Sequence, residues 1–120
     1  MDATPLHGDC AYLADWPGVP LADYEGKIIS EALGEKRAIL LAHHGQIVVA
    51  ATVQEAATLA LCIEQTAGLQ LRAQAAGDIQ PIPNELAREA HDFLLQPGIV
   101  RASFAAYARR VLRAAPGCLD

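Results

Sequence analysis

Two adjacent histidines, His43 and His44, follow the apolar run Ala38–Ala42 and directly precede Gly45. An imidazole at a strand end beside a glycine lies near the rim of a sheet, where glycine permits a tight turn. Neutral imidazole is a natural zinc ligand. The pair cannot complete a tetrahedral site alone, because a catalytic zinc needs about three protein ligands and an open position. Other ligand types stand near the N-terminus, at His7, Asp9 and Cys10. With His43 or His44 they offer a second arrangement of zinc-binding types, although their spacing matches no familiar site. The three cysteines, Cys10, Cys62 and Cys118, have no CxxC spacing. They make neither a disulfide framework nor a zinc ribbon. Cys62 lies in an Ala- and Leu-rich helical stretch and reads as a small buried apolar group. His91, between Ala90 and Asp92, reads as a surface histidine, and Trp16, before Pro17-Gly18, as a loop anchor.

The elements around these residues follow from periodicity and capping. Cys10–Ala14 reads as a short strand between breakers. Asp23 offers a cap for a helix over Tyr24–Leu33, which Gly34 stops. Ala38–Ala42 is a buried-strand run, and Gln46–Ala50 is a second strand rich in β-branched residues. The short turn between them makes an antiparallel hairpin the simplest reading. Thr52-Val-Gln-Glu55 is a capping box, with the Thr52 hydroxyl accepting from the Glu55 amide and the Glu55 carboxylate reaching back. The helix it opens runs to Ala76 and spans roughly 36 Å. Ala56, Ala60, Ile63, Ala67 and Leu71 form its apolar stripe. Asn84 caps a helix over Glu85–Leu95, Gln96-Pro97-Gly98 interrupts it, and a last helix covers Val100–Ala115. The order is strand, helix, hairpin, long helix and two short helices. It predicts an α/β (α+β) chain, layered α/β/α, with a mainly antiparallel sheet.

Composition narrows the function. Apolar residues make up 52% of the 120, enough for a packed core, which excludes intrinsic disorder. No apolar run approaches the length of a membrane span. The N-terminus lacks a basic-then-apolar leader pattern, so a cytoplasmic location is expected. Fourteen acidic against nine basic residues give a net charge of −5. That excludes a nucleic-acid binder relying on phosphate neutralisation. The arginines of the last helix then read as a solvated or interface face.

One stretch resembles a known family. Leu40-Leu41-Ala42-His43-His44-Gly45, followed by Thr52-Val53-Gln54-Glu55-Ala56, is similar to the motif pair of the class II aldolase/adducin family. Pro20-Leu21-Ala22-Asp23-Tyr24 resembles the segment before this strand in sugar-phosphate aldolases. Ile63-Glu64 and Gln70-Leu71 match the family's long-helix pattern. The resemblance covers Tyr12 to Ala76.

The resemblance implies a layered domain and a divalent metal, commonly zinc, held by three histidines. His44 falls on the third ligand, and His43 is a usual variant beside it. In the enzymes the metal polarises a substrate oxygen as a Lewis acid. The resemblance also makes Tyr107 a candidate catalytic residue, since a C-terminal tyrosine serves a neighbouring subunit's site in some members. Packing with Phe104 is the competing reading of Tyr107. The family's first two metal ligands form a histidine-any-histidine pair upstream, and no such pair occurs here. Residues 1–120 are therefore expected to be a single, N-terminally truncated domain, the C-terminal part of a unit of roughly 200 residues. The expected function is part of a metal-dependent lyase acting on a small hydroxy-carbonyl or sugar-phosphate substrate, inactive in isolation. The alternative is a non-catalytic, adducin-like assembly module. Exposed sheet edges and apolar faces point to a homo-oligomer.

Overall fold

The computed structural model describes residues 4–15 and 23–119. Trp16 and Pro20-Leu21-Ala22 fall outside the described residues. After a 3-10 turn at Thr4–Leu6 come β1 (Cys10–Leu13), α1 (Asp23–Leu33), β2 (Ala38–Leu41) and β3 (Gly45–Val48). Three helices follow: α2 (Val53–Ala76), α3 (Asn84–Leu94) and α4 (Pro97–Ala114). The order is the one read from the sequence.

The sheet runs β1-β2-β3 and is mixed. β2 and β3 form the expected antiparallel hairpin, with Ala38 opposite Val48 and Leu41 opposite Gly45. β1 runs parallel to β2, with Cys10 opposite Ala38 and Leu13 opposite Leu41. Parallel neighbours need a crossover. Here α1 lies in that crossover and packs against both strands. The central position of β2 accounts for its unbroken apolar run: Ala38 and Ile39 are fully buried, and Leu41 nearly so.

Helix α2 begins as its capping box predicts. The Thr52 hydroxyl accepts from the Glu55 amide at 3.2 Å. The buried face, however, is Leu59, Cys62 and Ile63 rather than the full stripe through Ala67 and Leu71. Leu71 is 70% exposed. The reason is that α2 meets β3, the N-terminal turn and α4, and beyond Ala67 it is almost wholly exposed. Two helix starts also differ from expectation. Pro83 occupies the cap position of α3, and Asn84 is already helical, with no side-chain cap bond. Pro97 opens α4 in its first turn, where a missing N–H costs nothing.

The resulting core is small. Ile39 and Leu59 are its largest fully buried side chains, while Tyr12, Leu86, Phe93 and Val111 remain more than half exposed. The radius of gyration, 16.1 Å, exceeds the roughly 14 Å of a compact domain of this length. Among the described residues no helix is long and apolar enough to cross a membrane.

Candidate functional site at the end of the central strand

His43 and His44 occupy the turn between β2 and β3. The turn is tight: the His44 amide donates to the Leu41 carbonyl at 3.1 Å, and His43 takes a left-handed backbone at φ 59°. Left-handed geometry is uncommon outside glycine, so here the sequence holds a non-glycine residue at some conformational cost. The Ala42 amide donates to Leu13 at 2.9 Å, extending the parallel pairing up to the turn. Both histidines are exposed. His44 therefore stands where β1 and β2 both point their carboxyl ends. In open parallel sheets that edge is the usual location of ligand sites.

The ligand set that a tightly held metal needs is not assembled. Among the described residues no group of three or more His, Cys, Asp or Glu side chains comes together. The arrangement weighed from His7, Asp9, Cys10 and His43 or His44 is not formed. Parallel pairing explains why: Asp9 and Cys10 sit at the amino end of β1, and His43 and His44 follow the carboxyl end of β2. About four residues of strand, roughly 13 Å, separate the two ends. Burial also pushes the Cys10 thiol's pKa up, away from the thiolate that would bind zinc. Among the described residues, the side chains at this turn do not by themselves fit a zinc ion.

At the opposite end of the sheet lies a polar cluster that sequence reading missed. The Arg37 amide donates to Asp9 Oδ1 at 3.0 Å, and the Arg37 guanidinium Nη1 pairs with Asp9 Oδ2. Arg37 Nε reaches Glu55 Oε1 at 3.2 Å. His91 Nε2 lies 3.4 Å from Asp9 Oδ2, and its Nδ1 lies 2.9 Å from Asp92 Oδ1. His91 is thus only 18% exposed in its side chain, not the surface residue expected. The Glu55 carboxylate, expected to complete the capping box, is turned to Arg37. Partial burial would raise the Asp9 pKa. The Arg37 amide, the guanidinium and His91 outweigh that and hold it below its usual 3.8. Arg37 lies directly before the apolar strand and Glu55 in a capping box, and nothing in their spacing announces the pairing. The cluster joins β1, β2, α2 and α3, and so fixes the root of the strand that carries His44.

Tyr107 sits in the α2–α4 layer, its hydroxyl donating to Gln65 Oε1 at 3.5 Å. It lines a cavity of about 230 Å³ with Leu59, Cys62, Leu94 and Val100. Cys62 is buried as expected.

A mixed α/β layer with a histidine-glycine turn at the carboxyl end of its central strand defines the class of domain. Residues 2–71 match the family described as Class II Aldolase and Adducin N-terminal domain, and the chain belongs to that family. It is similar, at 38% identity over 88 residues, to a 4-hydroxy-3-prenylphenylpyruvate oxygenase/4-hydroxy-3-prenylbenzoate synthase of Streptomyces roseochromogenus subsp. oscitans, covering 73% of this chain and 32% of that protein. Decarboxylase NovR of Streptomyces niveus is 37% identical over 88 residues, covering 73% and 33%. Among solved structures, an L-fuculose 1-phosphate aldolase from Glaciozyma antarctica PI12 superposes with a TM-score of 0.79 at 27% identity, covering 92% of this chain and 41% of that one. An aldolase II superfamily protein from Pseudomonas syringae shares the fold, with a TM-score of 0.74 at 24% identity, covering 92% and 45%. The chain thus spans about a third of the curated relatives' length.

Proposed function

We propose that this chain supplies part of a metal-dependent lyase site acting on a small hydroxy-carbonyl, oxo-acid or sugar-phosphate substrate. His44 is the metal ligand that it contributes, and the remaining ligands come from outside these 120 residues. The observation that carries the reading is the place of His44: exposed, in a tight turn, at the carboxyl end of the central strand. A decarboxylase and an aldolase among the relatives support a lyase-type reaction, in which a metal would polarise the substrate carbonyl. Tyr107 is proposed as a contributor to a neighbouring copy's site, and a cytoplasmic setting is part of the same reading. An adducin-like assembly module is the second reading.

A chimera tests the choice. Residues 38–76 replace the matching strand, turn and helix of the L-fuculose 1-phosphate aldolase from Glaciozyma antarctica PI12. The lyase reading expects a folded chimera that binds stoichiometric zinc and cleaves its sugar phosphate, with both properties lost in His44→Ala and kept in His43→Ala. A chimera that folds and assembles yet binds no metal would favour the assembly module.

A further inference from the structure

We propose that the cavity walled by α2, α3 and α4 binds a small, neutral aromatic molecule that carries one hydrogen-bond donor. The cavity measures about 230 Å³, and Pro5 of the N-terminal turn also borders it. Its walls are mainly apolar, with Leu59 1%, Val100 6% and Cys62 9% exposed. A dry apolar cavity of about 150 Å³ holds benzene, and on that scale about nine non-hydrogen atoms fit here. The Cys62 sulfur and the Tyr107 ring favour an aromatic guest over an aliphatic one, because both gain from contact with a ring. The cavity lies apart from the His44 turn: Glu55 in its lining pairs with Arg37, directly before β2. The inference therefore does not rest on His44 as a metal ligand.

The polar groups of the lining decide the class of guest. Glu55 is its one charged residue. Glu55 Oε1 accepts from Arg37 Nε at 3.2 Å, and the side chain is 18% exposed. Among the described residues no donor is seated on Glu55 Oε2. The Thr58 hydroxyl donates to the Gln54 carbonyl at 2.7 Å, and the Tyr107 hydroxyl to Gln65 Oε1 at 3.5 Å. Both protons are committed, so these two hydroxyls have only lone pairs left to offer. Ser103 keeps a hydroxyl that can give or accept. Acceptors therefore prevail, and a guest that only accepts, above all an anion, would meet Glu55 unpaired. A cation is opposed from the other side. Arg37, though shared with Asp9, already pairs with Glu55, and Arg101 lines the adjoining cavity that shares Glu55. What remains is a neutral N–H or O–H given to Glu55 Oε2, a charge-assisted hydrogen bond beside apolar walls. A few polar groups within an apolar lining are what fix a small ligand's orientation.

Titration of the isotope-labelled chain, followed by its amide NMR shifts, tests this. Indole matches the size and carries one N–H donor; indene has the same outline and no donor. Indole is expected to move one set of amides centred on Leu59, Cys62, Val100 and Ser103. It should bind about tenfold more tightly than indene. Aminoindane, an ammonium ion of similar size, should bind more weakly than indole. In Glu55→Gln the amide oxygen stays on Arg37 and the amide N–H groups meet the guest. Indole should then lose about tenfold and indene nothing. Ser103→Phe fills the cavity and should abolish binding of both. The comparison of guests on the wild-type chain needs no variant, so it stands where a substitution misfolds. No shifts up to the solubility limit of indole, or shifts scattered away from the lining, overturn the inference. So does equal affinity for indole and indene, or tighter binding of aminoindane. Neither metal nor turnover is read, so this can fail while the chimera succeeds, and the reverse.

Discussion

Replacing Asp9 with Asn keeps the size of the side chain and removes its charge. Asp9 accepts from the Arg37 amide at 3.0 Å, from the Arg37 guanidinium and from His91, with only 14% of its side chain exposed. A hydrogen bond to a charged group contributes about 1.5–3 kcal/mol. Arg37 is 40% exposed and keeps Glu55, so solvent and the second carboxylate reduce the loss. The expected cost is about 2 kcal/mol. With a urea slope of roughly 2 kcal/mol per molar, the unfolding midpoint falls by about 1 M. Acid should expose the same interaction in the wild type. The folded carboxyl titrates below 3.8, so its contribution is fully present above that pH. It is lost as pH falls through the folded value, because the unfolded state takes up its proton first. In Asp9→Asn this part of the acid sensitivity should disappear. A midpoint unchanged to within about 0.2 M, or an acid profile identical to the wild type, refutes the reasoning.

Other perturbations probe other parts of the frame. Thr52→Ala removes the acceptor of the Glu55 amide and should cost about 1 kcal/mol in urea unfolding. Leu59→Ala empties a site that is 1% exposed and should cost about 2–5 kcal/mol by the same measurement. His43→Gly relieves a left-handed backbone and should raise stability by a few tenths to about 1 kcal/mol, while His43→Val should lower it. Zinc titrated into the chain alone by calorimetry should show no sub-micromolar stoichiometric binding. Such binding, lost in His44→Ala, would contradict the single-ligand reading of the turn.

Local signals carried the hairpin, the Thr52 cap and the extent of α2, because each is set within a few residues. The turn at His43 and His44 was legible because these residues and Gly45 follow the apolar run directly. The Asp9–Arg37–Glu55–His91 cluster was not, since its members come from four separate segments and only the tertiary fold brings them together. The parallel run of β1 was hidden for the same reason: strand direction is decided by the crossover through α1. The stripe on α2 was misplaced because periodicity alone does not say where along a helix the packing ends. Pro97 read as a breaker, yet the same missing N–H also suits a helix start.

The bare second half of α2 gives the chain a built-in gradient of opening. From Ala67 to Ala76 the helix extends about 15 Å, with Gly68 its single half-buried residue. A segment that short is marginal as an isolated helix. Amide exchange should therefore quicken steadily from Ile63 toward Gly77, and a protease should find that tip before any strand. Whatever settles on the tip would slow exchange there first, so α2 serves as its own reporter of contact.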